Sequence, residues 1–544
     1  MTGKTPLFRA LAGLARDHTA ADRAGIPVDE FRDIRSALNR GELSRRAVVK
    51  LGAVVPVGLA VPDAVAAAKP PVKPARVAVI GAGMSGLTAA LTLADNGVGC
   101  TVYEASGRVG GRMYSNDSYW ADGQTSEWGG EAIDQEHAMM RQLAQRFGLS
   151  TIDVTKAAPA HADQVFHFDG GYYSRSQADV DFKAVNQWVQ RDLRDASPAA
   201  TWEQSTAHAR FLDNLSLYDW IESRVPGGHT SRLGQLLDVA YNIEYGADTT
   251  RQSSLALIYL LGAQRNPGNF NIWGLSDERY HIVGGNQQLP EAIADSLPDG
   301  TVQYGWKLLA VRRNTDGTQT LTFDNGGTTR TVTADHTILT VPLGVLQRID
   351  LTNAGLDQRK RESLAAMKMG SCTKLNLQFL RRTWLGTGPW PGVSSGETFT
   401  DLPFQQAWDT TAGQPGQRGI LIQYNGGSTA EAVRPATPFA TESDPVVRRF
   451  ANDSLAQIDT VFPGTRSAWT GKATFSAWHL NPLAYGAYVF WPIGYVTRYA
   501  GYEPVRQGNL HFAGEHCSYD FQGWMNGAAL EGDRAAREVL ADLR

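Results

Sequence analysis

An α/β fold is predicted by three features between Arg76 and Arg112. Val77 to Ile80 is a short apolar run of the kind that forms a buried strand. Gly81, Gly83 and Gly86 follow at once in the G-x-G-x-x-G spacing and open a helical pattern from about Met84 to Asp95. Gly97 ends that pattern, and a second strand, Cys100 to Tyr103, stops at Glu104. Strand, glycine turn, helix and strand in this order form the context that a dinucleotide fingerprint requires.

Each part has a physical task. Gly81 makes the tight turn, Gly83 lets a pyrophosphate approach the backbone, and Gly86 lets the helix pack closely on the strand. The helix N-terminus offers free N–H groups and a positive dipole end. Glu104 stands about 20 residues on, where a carboxylate accepts from ribose hydroxyls. A glycine-rich turn alone is weak ground, but here the string E-A-S-G-R-V-G-G-R follows, with Arg108, Gly110, Gly111 and Arg112. Two close glycines and two arginines beside a pyrophosphate make a second phosphate clamp. This string resembles the flavin-dependent amine oxidase family of monoamine oxidases, polyamine oxidases and L-amino-acid oxidases. The resemblance implies FAD and covers Arg76 to the C-terminus. It also implies the architecture: a Rossmann-like FAD-binding domain built from discontinuous segments (75–150, 275–345 and 495–544). Beside it stands a substrate domain of mixed sheet plus helices (151–274 and 346–494).

The chain has 544 residues, enough for two domains and a large core. A net charge of −4 gives no reason to expect nucleic acid. Three cysteines, Cys100, Cys372 and Cys517, make no disulfide framework and show no metal-ligand spacing. Residues 1–68 read as a twin-arginine-type signal region: Arg45-Arg46, an apolar run from Leu51 to Val61, then small-residue cleavage sites around Ala64 to Ala68. The apolar run is too short to span a bilayer, and 69–74 is a Pro-rich linker. The expected location is periplasmic or secreted, by an export route that carries folded, cofactor-loaded protein.

Further along, Trp128-Gly129-Gly130-Glu131 continues the resemblance, which places Gly129 and Gly130 beside the flavin ring. His137 to Phe147 reads as an amphipathic helix, and 175 to 265 as mostly helical, with breaks at Pro198, Pro226 to Gly228 and Gly246. Glu244-Tyr245-Gly246 suits either an active-site contact or a plain helix C-terminus. Ile282 to Asn286 precedes a helix from Gln288 to Leu297. Val302 to Val311 and Thr318 to Phe323 alternate as strands, and Asp324 to Gly327 supplies a turn after the second. Asp335 to Leu343 is a buried strand running into a proline turn. The resemblance puts Leu308 against the adenine.

Met369 to Phe379 reads as a strand with alternating faces, and Lys374 in it is expensive to bury without a partner. The resemblance makes Lys374 the residue that holds a water at flavin N5. At the C-terminal end, Asn509 to Glu515 is a strand ending in Gly514-Glu515, and a long helix opens at Met525. By the resemblance, Glu515 meets the ribityl or pyrophosphate region and the helix N-terminus at Met525 aims at flavin N1 and O2. Tyr488 and Trp524 take the places of the two aromatic walls that flank the amine. Ala487 stands where monoamine oxidases carry a flavin-linking cysteine, so the FAD is expected to be non-covalent.

The chemistry implied is oxidation of a C–H bond beside a neutral amine nitrogen, with hydrogen peroxide as the reduced product of dioxygen. The expected partners are a small-molecule amine and O2, with no nucleic acid and no stable membrane insertion; a homodimer is left open. An amino-acid substrate would need a cation for its carboxylate, typically a bidentate arginine. The segment W-G-G-E-A-I-D-Q-E-H has none and offers Glu131, Asp134 and Glu136 instead, with Arg141 on the next helix. A primary amine is therefore expected over an L-amino acid, with a flavoprotein lacking amine turnover as the remaining alternative.

Overall fold

The structure, a computed structural model, describes residues 73–197, 199–264 and 270–544. The twin-arginine segment, the linker as far as residue 72 and the break at Pro198 lie outside the described residues.

The first predicted strand, Val77–Ile80, is buried at every position. A strand covered on both faces reads as a continuous apolar run, which suits the middle of a parallel sheet. It occupies that place: the order is Leu510–Phe512, His336–Leu339, Val77–Ile80, Thr101–Glu104, Val302–Tyr304, all pairs parallel. Three stretches far apart in sequence thus build one sheet. The helix Met84–Asp95 packs against the C-terminal helix Met525–Asp542. Their approach is set by small residues: a Cβ on Gly532 would lie 2.0 Å from the carbonyl oxygen of Ser85.

The single strand expected over Val302 to Val311 is two. Gly305, at φ +75°, breaks it into Val302–Tyr304 in the parallel sheet and Trp306–Arg313 in a separate three-stranded antiparallel sheet. Alternation continued through the break and hid it.

The second large element is a nine-stranded mixed sheet. Its central strand, Cys372–Phe379, is flanked antiparallel by Gly419–Gly426 and Trp469–Ala477. It is the strand expected there, and all eight positions on its two faces are buried. Its polar side chains bond internally, with the Asn376 Oδ1 alone left without a partner among them. Asn376 bonds Thr474 Oγ1, and Gln378 bonds the Ala121 carbonyl and Gln124. Helices Arg175–Ala196, Ala207–Asp213, Leu217–Arg224, Arg232–Tyr245 and Ser254–Leu261 share one apolar core. Tyr495, Val496 and Ala500 join that helical core, so residues 495–500 pack with the helices and not with the parallel sheet.

Candidate active site

A cavity of about 1140 Å³ runs from the glycine turn to the nine-stranded sheet. At its dinucleotide end the wall is mostly backbone. Gly81 holds φ +103°, and a Cβ on Gly86 would lie 1.9 Å from the Gly81 carbonyl oxygen. Gly86 is therefore buried in the helix–strand contact, while Gly81 and Gly83 line the cavity. Gly83 caps its helix with no side-chain bond, so the first N–H groups are left for a ligand. Ser85 Oγ is buried beside them without a hydrogen-bond partner and also lines the cavity. Glu104 is held in place by the Ala82 N–H and by Ser106, each donating at 2.8 Å.

The second glycine string lies against the first. Gly110 N donates to the Ala82 carbonyl at 2.8 Å, and a Cβ on Gly111 would meet Gly83 Cα at 3.3 Å. Arg108 donates to the Gly111 carbonyl at 2.6 Å and lies over the Tyr114 ring. Arg112 donates to Glu515 Oε1 at 2.9 Å and to the Ala487 carbonyl at 2.7 Å. Glu515 Oε2 accepts from the Gly523 N–H, so this pair ties the loop before the C-terminal helix to the glycine string. That helix also begins without a side-chain cap, at Trp524. Gly129 and Gly130 pass between. A Cβ on Gly129 would sit 1.9 Å from the Arg112 carbonyl oxygen, and one on Gly130 would sit 2.9 Å from Met525 Sδ. Leu308, Gly514 and Met525 also line the cavity. Two uncapped helix N-termini, an orphaned buried hydroxyl and a glycine floor with no room for side chains fit FAD.

The substrate end is made of ionisable side chains. Lys374 has the partner its burial demands: its Nζ donates to Glu131 Oε2 at 2.8 Å. Burial alone would push the Glu131 carboxyl up; the Lys374 charge and the Trp408 Nε1 hydrogen bond at 2.9 Å more than offset it and hold it below the ordinary carboxylate value. The Tyr488 hydroxyl donates to the Ile243 carbonyl at 2.9 Å and stands 3.0 Å from the Tyr424 hydroxyl and 3.1 Å from Cys372 Sγ. Trp524 lines the cavity with its ring 4.9 Å from that of His137.

Glu244 also lines it, at the C-terminus of its helix. Gly246, at φ +63°, caps that helix where a Cβ would meet Cys372 Sγ at 2.8 Å. Burial, with Asp134 nearby, pushes the Glu244 carboxyl up to about 8. Glu278 is driven well above its ordinary value by burial and by four neighbouring carboxyls, and its backbone is left-handed at φ 43°. Glu397 is raised by burial and receives Gln164 and Gln406.

The acidic rim expected from Glu131, Asp134 and Glu136 does not form. Glu131 is neutralised by Lys374, Asp134 accepts from the Glu278 N–H behind the cavity wall, and Glu136 is exposed outside it. Arg141 is exposed and donates to the Gln135 carbonyl, so it does not serve the cavity. Acid reaches the site from Glu244, Glu278 and Glu397 instead. Tyr424, Trp408, Glu278 and Glu397 carried no local sequence signal; they gain their roles only through tertiary burial.

The family model described as flavin containing amine oxidoreductase matches residues 84–540, and the chain belongs to that family. It is 26% identical to an L-amino-acid oxidase of Siganus canaliculatus, over 85% of this chain and 85% of that protein. It is 25% identical to an L-amino-acid oxidase of Mus musculus, over 86% of this chain and 71% of that protein. Among solved structures, cyclohexylamine oxidase from Brevibacterium oxydans superposes with a TM-score of 0.72 at 20% identity, covering 87% of this chain and all of that one. Putrescine oxidase bound to putrescine gives 0.69 at 21% identity, covering 86% and 99%. These two show the shared fold. The protein is an FAD-dependent amine oxidoreductase with an α/β fold, acting on a small molecule with O2 as partner. No described helix is long and apolar enough to cross a membrane.

Proposed function

We propose that the substrate is a primary amine of the monoamine oxidase type, taken as the ammonium and oxidised as the neutral amine. The observation that carries this is the side-chain make-up of the substrate end, which holds carboxyl groups and no unengaged arginine. Glu244, Glu278 and Glu397 face it, and every arginine among the described lining residues is already engaged. Arg108 and Arg112 are used at the glycine strings. Arg175 holds Asp163, and Arg382 donates to three backbone carbonyls and lies beside Asp409. A carboxylate entering this space finds no bidentate cation.

The bound FAD supplies the hydride acceptor, and O2 takes up the electrons to give hydrogen peroxide. The chain's own residues prepare the amine. Tyr488 and Trp524 supply apolar walls that disfavour the ammonium. Glu244 accepts its proton. An ordinary carboxyl and an alkylammonium differ by about 6 pH units, and a Glu244 value of about 8 narrows this to about 2. The product imine hydrolyses in water to aldehyde and ammonia.

An L-amino acid is the second reading, favoured by the names of the relatives above. Peroxide release by purified protein across monoamines, diamines and L-amino acids tests both. Turnover of amino acids alone would overturn the amine assignment, and no peroxide from any of them would favour a flavoprotein without amine turnover.

We also propose that FAD is held without a covalent bond. Ala487 offers no thiol, and burial pushes the cavity's Cys372 thiol up to about 11, leaving it a poor nucleophile. Acid precipitation should release the yellow colour; colour kept in the pellet would refute this. We propose export by the twin-arginine route, on the strength of Arg45 and Arg46 ahead of the apolar run. Replacing both by Lys should retain the enzyme in the cytoplasm, and unchanged export would overturn the route.

A further inference from the structure

At the end of the parallel sheet away from the cavity, two histidines and an aspartate meet. His336 opens its strand, His511 is the middle residue of Leu510–Phe512, and Asp542 is the last residue of the C-terminal helix. That helix has 18 residues, so Asp542 lies about 25 Å from the helix start that faces the cavity. We propose that His336, His511 and Asp542 form a zinc site that clamps the end of the C-terminal helix onto two strands of the parallel sheet.

The geometry is that of ligands and fits poorly as a plain hydrogen bond. His336 Nδ1 and His511 Nε2 are 3.4 Å apart, beyond the usual N–H hydrogen-bond range. Two imidazole nitrogens bound to one tetrahedral zinc at 2.0–2.1 Å stand about 3.4 Å from each other. Asp542 Oδ2 is 4.0 Å from His336 Nδ1, and the three ligand atoms all lie within 4.8 Å of one another.

A second observation fixes the tautomer. His511 Nδ1 is 2.8 Å from Glu538 Oε2, so the proton sits on Nδ1 and the Nε2 lone pair turns towards His336. Metal-bound histidines are held by carboxylates in this way. The histidines are buried, while the Asp542 side chain is 28% exposed, which gives an ion a way in and a fourth position for water. Arg506 also donates to Asp542 Oδ2, so the carboxylate is shared and the affinity is moderated. Two imidazoles and one carboxylate select zinc over calcium or magnesium.

The test uses tag-free holoenzyme, stripped with EDTA, desalted and titrated with zinc chloride. The expected result is one zinc per chain by mass spectrometry of the metal and a thermal midpoint raised by several degrees. His336→Asn should lose the zinc. Asp542→Asn, a change at the exposed ligand that leaves the core packing alone, should weaken binding at least tenfold. Glu538→Gln should weaken it by about 10–100-fold through the His511 ring. FAD absorbance and amine turnover should be the same in all three. Zinc retained equally by His336→Asn and Asp542→Asn would mean adventitious binding elsewhere and overturn the site. So would a wild-type protein that takes up less than about a tenth of an equivalent, which would leave the pair as core histidines alone.

Discussion

Where the cavity meets the dinucleotide, its wall is backbone: Gly81, Gly83, Gly129 and Gly130, two helix starts and one orphaned hydroxyl. Where it meets the amine, its wall is side chains drawn from distant strands and helices: Glu131 with Lys374, Tyr488 with Tyr424, and Glu244, Glu278 and Glu397. The first wall works by having no side chains, so its requirement is steric and local. The second works through burial and mutual charge, so its properties belong to the assembly. Damage should differ accordingly. A change in the backbone wall should cost cofactor, and a change in the side-chain wall should cost proton or electron transfer.

The largest expected effect is at the buried ion pair. Lys374→Met leaves Glu131 buried without its cation, which costs about 3–5 kcal/mol of stability. It should also slow reoxidation of the reduced enzyme by O2 more than reduction by amine, because the fixed charge favours developing negative charge. Adding Glu131→Gln should restore the melting temperature and leave reoxidation slow. Stopped-flow traces in which the double variant reoxidises at the wild-type rate would reduce Lys374 to a structural role.

On the backbone wall, Gly86→Ala forces a methyl against the Gly81 carbonyl, an overpacking cost of about 1–3 kcal/mol. Because the displaced turn is the pyrophosphate cradle, FAD content per chain should fall even in soluble protein. A full flavin complement would show that the two walls do not differ as argued.

Trp524→Ala should lower kcat/KM by about 10–100-fold while FAD content and melting temperature stay close to wild type, since the ring faces the cavity and contributes little to the core. Unaltered steady-state kinetics would take Trp524 out of the site.

The smallest effect expected is a pH effect. With Glu244 titrating near 8, kcat/KM for a cationic amine should rise through that pH, and Glu244→Gln should lose this limb. Stability supplies the sign check. The folded protein holds the Glu244 proton between its unfolded value and about 8, so stability falls as pH rises through that window, and the deficit is complete above it. Glu244→Gln should therefore melt higher than wild type at pH 9 and not at pH 4. Parallel melting curves at both pH values would contradict the assigned ionisation.

The same contrast explains what the sequence revealed. Gly81, Gly83 and Gly86 were readable because a turn's steric need is written in consecutive residues. Lys374 was readable as a charge misplaced in an apolar strand, but its partner Glu131 is 243 positions away and nothing local joins them. Glu131, Asp134 and Glu136 read as a cavity rim from their spacing after Trp128, yet only Glu131 of the three lines the cavity. Glu278 and Glu397 look like ordinary surface carboxylates until the fold buries them. Gly305 broke a strand whose alternation continued past it, because the two halves bury residues in different sheets.

A cavity lined by carboxyls and by arginines that are already engaged should select an amine and not an amino acid. The most direct measurement compares kcat/KM for an amino acid and its decarboxylated amine, such as phenylalanine and phenethylamine, across several such pairs at fixed pH. The amine should be the better substrate in every pair, and Glu244→Gln should narrow the ratio. A ratio favouring the amino acid across the pairs would contradict this selection and would mean that a cation other than the engaged arginines receives the carboxylate.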